Sequence, residues 1–115
     1  MVKKQYIPER GDIVWLNFNP QSGHEQRGKR PAVVLSSGGY NAKTGLGLFC
    51  PITSKIKNYP FEVKIESQKI AGVALSDQIK SLDWKTRDIE LILKGTSEMV
   101  EEIVEKVSVL LYEQG

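Results

Sequence analysis

A chain of 115 residues, 40% hydrophobic and 26% charged, has the length for one domain spanning residues 1–115 and not for two. No run approaches the ~20 apolar residues that cross a bilayer, and residues 1–10 lack a cationic stretch leading into an apolar one, so a soluble cytoplasmic protein is expected. The net charge of +2 is mild, and one Cys with one His gives neither a disulfide nor a zinc cluster; metal-free, cofactor-free chemistry is expected.

Pro8, Gly11 and Asp12 mark a turn, after which residues 13–18 (IVWLNF) are β-branched and aromatic and predict the first core strand, ended by Asn19-Pro20. Residues 19–29 are polar and glycine-bearing without a period, a loop of the kind that often carries function. Arg30-Pro31 opens a second strand, with Pro as its first residue because it lacks an amide donor. Ala32, Val33, Val34 and Leu35 then fill the core. Residues 37–45 carry turn chemistry with room for a short helical turn, and 46–53 form the third strand, whose Cys50 is expected in the core.

Phe61, Val63 and Ile65 alternate with Glu62, Lys64 and Glu66, the period-two signature of a half-exposed strand. Val73-Ala74-Leu75 adds a short strand, and 79–84 extend the sheet. Residues 83–93 contain a polar stretch and an apolar run whose state the period does not decide. Val100, Ile103, Val104, Val107, Leu110 and Leu111 then fall on one helical face, with Thr96 or Ser97 as cap and Glu98 in the first turn. That face is expected to pack on the sheet. Many short strands and one terminal helix predict a small, strongly bent antiparallel sheet or partial barrel.

The stretch from His24 to Pro31 joins this loop to the second strand. A carboxylate, Glu25, and a guanidinium, Arg30, stand five residues apart where polar loop meets buried strand. One can accept a proton and the other can grip a phosphate, parts suited to phosphodiester chemistry. A solvated hairpin loop would have the same composition.

What separates the two is a resemblance carried by ordered blocks along nearly the whole chain: Gly11 to Trp15, Gly23 to Gln26, Arg30 to Ser36, Pro51 to Ser54, Tyr59 to Val63 and Gly72 to Ser81. In these the chain resembles the MazF/PemK family of toxin endoribonucleases. The resemblance implies a mainly β fold, an SH3-like (PemK/CcdB-like) barrel of antiparallel strands with a C-terminal helix. It also implies a sequence-specific, metal-independent endoribonuclease, the toxin of a type II toxin–antitoxin system that inhibits translation and growth. Single-stranded RNA would be left with 2′,3′-cyclic phosphate and 5′-hydroxyl ends. The implied partners are mRNA, a small acidic MazE-like antitoxin and a second copy of the chain in a homodimer.

Glu25 is then the candidate base and Arg30 the electrostatic stabiliser, being a poor proton donor at a pKa above ~12. His24 or water is left to supply the acid. Thr53 resembles the family's catalytic hydroxyl, with Ser54 beside it to position the phosphate; the same pair would also suit a strand end. Asp77 and Gln78 match the family and could read base edges, although the Arg that the PemK branch carries two residues earlier is Leu75 here. Phe18, Asn19, His24, Gln26, Lys29, Lys57 and Lys80 complete the expected RNA-binding set, with Lys55 and Lys85 as further cations. Tyr59 could offer a stacking face, whereas Phe61 is expected in the core. Two other readings remain open, a CcdB-like toxin that binds gyrase without catalysis and an SH3-like protein-binding module. Neither accounts for the block from Glu25 to Arg30.

Overall fold

The computed structural model describes residues 5–19 and 28–113. Among these, seven strands form one antiparallel, bent sheet: β1 (Asp12–Asn17), β2 (Lys29–Val34), β3 (Leu46–Thr53), β4 (Glu62–Glu66), β5 (Ala71–Leu75), β6 (Lys80–Asp83) and β7 (Glu90–Lys94). A short helix α1 (Gly38–Thr44) precedes β3, and α2 (Ser97–Tyr112) closes the described chain. The strands run in the order β4-β5-β3-β2-β1-β7, and β6 pairs with β3 on the same edge as β5. The expected half-closed barrel with a terminal helix is therefore present. The undecided apolar run is the edge strand β7.

Apolar residues adjacent in sequence point to opposite faces of a strand, so a continuous apolar run needs both faces covered. Ile13, Val33, Cys50, Ile52, Val63, Ile65 and Ala74 meet Ile103 of α2 on one face. Val14, Leu16, Ala32, Val34, Phe49, Leu82 and Trp84 pack on the other. Pro31 is the third residue of β2 rather than its first. It is tolerated there because pairing with β3 begins only at Ala32, leaving the side that lacks the amide unpaired.

Helix α1 is capped by the Ser37 hydroxyl and stopped by Gly45 at φ 72°. Its buried Asn41 fastens three segments. Asn41 Nδ2 donates to the carbonyls of Pro8 (2.7 Å) and Ser36 (3.2 Å), and its Oδ1 accepts from the Ser36 hydroxyl (2.6 Å). Trp84 Nε1 donates to the Asn41 carbonyl at 3.2 Å. Near the N-terminus, buried Asp12 accepts from the Tyr6 hydroxyl and the Glu9 amide, with Lys94 Nζ 3.5 Å away.

Helix α2 starts as expected, with Thr96 Oγ1 accepting from the Met99 amide at 3.2 Å. Its packing is narrower than its pattern. Ile103 is fully buried with Met99 and Val107 beside it, while Val104, Leu110 and Leu111 are 48%, 47% and 72% exposed. The 16-residue helix lies chiefly against the five-residue β4 and at ~1.5 Å per residue outruns it.

Burial, helped by the charge of Asp77, pushes the Cys50 thiol from its ordinary 9.0 up to about 12. A folded pKa above the unfolded one gives stability that is complete below about pH 9 and is lost as pH rises towards 12. Urea midpoints of the wild type should therefore fall faster between pH 8 and 10 than those of Cys50→Ala. Parallel midpoints in the two proteins would contradict this.

Candidate nucleic-acid interface

The middle of β3 is where the sheet changes neighbours. Its first half pairs with β6 and its last two residues with β5, so the connection through Asp77 and Gln78 turns a corner beside it. Gly72 permits the close approach: at φ 143° it sits so near β3 that a Cβ there would lie 2.3 Å from the Thr53 carbonyl oxygen. Thr53 Oγ1 accepts from the Lys55 amide at 3.1 Å. Its own proton is left to donate.

After Thr53 the chain forms an exposed loop that returns to β4. Glu62 closes it, because Oε2 accepts from the Lys57 amide at 3.0 Å and the Glu62 amide donates to the Tyr59 carbonyl at 3.0 Å. Phe61 is half-buried, and its carbonyl accepts from the amide and hydroxyl of Ser76 at 3.0 and 2.6 Å. Tyr59 donates its hydroxyl to Asp77 Oδ2 at 2.7 Å, which raises the phenol's pKa. The result is a groove of about 280 Å³ lined by Thr53, Lys55, Lys57, Tyr59, Glu62, Leu75, Asp77 and Gln78. It brings together four of the expected site residues, Thr53, Lys57, Asp77 and Gln78. Leu75 gives the groove an apolar patch where the PemK branch carries a cation.

Arg30 approaches from the other side of β3. Ala32 pairs with Pro51 and Val33 with Cys50, so Arg30 lies on β2 two residues beyond its last pair with β3, as Thr53 lies two residues beyond Pro51 on β3. Arg30 is exposed, opposite Leu16 of β1. Lys80, exposed and opposite Phe49, starts β6 just past the corner, and exposed Ser54 follows Thr53. A guanidinium, a hydroxyl and lysines thus flank one strand end, where they can hold a phosphate, with carboxylate and amide groups beyond for a base edge.

Other expected residues have different surroundings. Lys29, next to Arg30 on β2, points to the opposite face and binds Asp88 Oδ2 at 3.1 Å and Glu90 Oε1 at 3.2 Å. Burial lowers its pKa, but those two bonds outweigh it and the net shift is upward. Phe18 is half-buried against the second core cluster, and exposed Asn19 donates its amide to Asn17 Oδ1 at 3.0 Å. His24, Glu25 and Gln26 lie outside the described residues.

The stretch 83–93, left without a role by sequence, holds a clip. Arg87 Nη1 donates to the carbonyls of Asn17 (3.1 Å) and Phe18 (3.0 Å), and its Nε bonds Asp83 at 2.7 Å. Hydrogen bonds from Thr86 and Arg87 hold the Asp83 carboxyl below its usual range. The clip fixes the end of β1 where the segment from Pro20 to Arg27 begins. Two other cavities, about 400 Å³ beside the start of α2 and about 610 Å³ beside residues 5–12, contain none of the expected site residues.

Residues 9–111 match the family described as PemK-like, MazF-like toxin of type II toxin–antitoxin system. The chain belongs to this toxin family. It is 47% identical over 109 residues to the endoribonuclease toxin MazF of Escherichia coli K12, covering 93% of this chain and 96% of that one. The endoribonuclease toxin ChpB of the same organism is 39% identical over 108 residues, 89% of this chain and 91% of that one. Among solved structures, a crystal form of MazF from Deinococcus radiodurans superposes with a TM-score of 0.83 at 46% identity, covering 93% and 98% of the two chains. A MazE–MazF crystal structure from that organism gives 0.84 at 40% identity, with 96% and 100% covered.

Proposed function

We propose that this protein is the endoribonuclease toxin of a type II toxin–antitoxin system, acting as one domain in the cytoplasm on single-stranded mRNA and so inhibiting translation and growth. The observation that carries the reading is the groove at the end of β3, which gathers Thr53, Lys57, Asp77 and Gln78. Family membership and the endoribonuclease names of the relatives support it.

In the reaction proposed, Glu25 takes the proton of a ribose 2′-hydroxyl, whose oxygen attacks the adjacent phosphorus. Arg30 and the Thr53 hydroxyl stabilise the charge that builds on the phosphoryl oxygens. The bond from phosphorus to the 5′-oxygen breaks, and that oxygen receives a proton from His24 or water. The products are a 2′,3′-cyclic phosphate and a 5′-hydroxyl, and no step needs a metal ion. Incubating the purified protein with a long RNA in excess chelator should give a few recurrent cuts with those ends. Scattered cuts, or none, would overturn the reading.

The same groove is proposed to take an extended segment of a small acidic antitoxin, since cations that accept phosphates also accept carboxylates. A MazE–MazF complex of the same fold supports that partner. A noncleavable RNA titrated into a preformed toxin–antitoxin complex should displace the peptide or fail to bind. A stable ternary complex with both ligands at full affinity would refute shared occupancy. The active form is proposed to be a homodimer, which the exposed apolar residues Val104, Leu110 and Leu111 of α2 support.

A further inference from the structure

The outer wall of the groove is tied to a helix that does not line it. Lys106, in the middle of α2, donates Nζ to the Pro60 carbonyl at 2.7 Å, across 46 residues of sequence. Tyr59, the neighbouring residue, is 45% exposed, packs its ring on Phe61 with centroids 5.7 Å apart, and donates its hydroxyl to Asp77 Oδ2 at 2.7 Å. One continuous line of contacts thus runs from α2 through the loop to the corner between β5 and β6.

We infer that Lys106 and Tyr59 are positioning residues that couple α2 to nucleobase recognition: Lys106 fixes the Pro60 carbonyl and with it Tyr59, and Tyr59 orients the Asp77 carboxylate towards the groove. With Oδ2 engaged by Tyr59, Oδ1 is the atom offered to a base. A carboxylate oxygen accepts from the exocyclic amino group of cytosine, adenine or guanine, whereas uracil lacks that group and offers only its single ring N3–H. Gln78 beside it presents an amide that suits the paired acceptor and donor of adenine. The base held here is therefore an amino-bearing one, a statement that rests on the endoribonuclease reading; the tie from helix to groove does not.

The charged groups that line the groove with Tyr59 are Lys55 and Lys57 from the loop, Glu62 from β4 and Asp77 from the corner, of which Asp77 bonds the hydroxyl. The bond to Asp77 keeps the phenol's pKa above its ordinary 10.0, so the titration of Tyr59 reports whether that bond survives. Because the loop is exposed and outside both core clusters, variants there keep the fold.

Two measurements on the full chain test the coupling. In the first, without RNA, carbon-13 tyrosine resonances are titrated and Tyr59 is identified by its loss in Tyr59→Phe. Lys106→Met should bring the Tyr59 midpoint down towards 10.0, and Lys106→Arg, which can still donate to the carbonyl, should restore it. An unchanged midpoint in Lys106→Met would overturn the tie. In the second, Lys106→Met and Tyr59→Phe should each raise KM for a matched oligonucleotide about 5- to 10-fold with kcat within about twofold. The double variant should be no worse than the worse single one, as expected for residues acting in series. Replacing the recognised amino-bearing base by uracil should penalise the wild type about 10-fold or more, and Tyr59→Phe less. Additive effects, a change in kcat alone, or equal uracil penalties would overturn the inference. A wild-type protein that cuts no RNA would instead remove the proposed function, and the titration would still decide the coupling.

Discussion

Arg30→Ala is expected to lower kcat/KM for a matched oligonucleotide about 100- to 1,000-fold, the usual cost of losing one preorganised donor to a developing oxyanion. The fold should survive, because Arg30 is exposed at the open end of β2 and belongs to neither core cluster. Glu25→Gln should cost about as much, since a missing general base lowers rates about 100- to 10,000-fold. Thr53→Val is the milder change, about 10-fold, because Arg30 still holds the same phosphate. Oligonucleotide cleavage with circular dichroism as the folding control checks all three. Wild-type rates in folded Arg30→Ala would take the guanidinium out of the mechanism.

The largest effect on stability is expected far from the groove. Asn41→Ala removes the partners of the Pro8 and Ser36 carbonyls and of the Ser36 hydroxyl, all within a buried network. Each buried polar group left unpaired costs about 1–3 kcal/mol, so a loss of about 3 kcal/mol is expected for the cluster. Urea denaturation measures it, and a change below about 0.5 kcal/mol would mean that the network relaxes around the gap. Cleavage per folded molecule should stay unchanged, since Asn41 does not line the groove.

Strands whose apolar residues alternate or run together were legible because burial is written into period. The third strand, 46–53, was read with the limits it has in β3. The terminal helix was read from its spacing and cap, but spacing tells which residues share a face and not how much of that face a neighbour can reach. Asn41 and Arg87 went unread for a different reason. Their partners lie 33 and 70 residues away, and nothing local distinguishes a polar side chain that fastens distant segments from one that faces water. Lys29 is expected in the loop, but β2 begins one residue before the Arg30-Pro31 signal and takes it in. Neighbours on a strand point apart, so Lys29 and Arg30 could not both face one phosphate, and the carboxylates of Asp88 and Glu90 claim the lysine. The groove itself needed two loops and a strand corner to meet, which follows from topology.

The contact between Gly72 and the Thr53 carbonyl suggests how such a protein could be disarmed by a vaccine or strain engineer who wishes to keep its surface intact. Every functional side chain could stay in place, yet a single methyl at position 72 would press on the backbone that carries Thr53. The same crowding gives the position no neutral neighbours in sequence space, because every other residue brings at least that methyl or a bulkier ring.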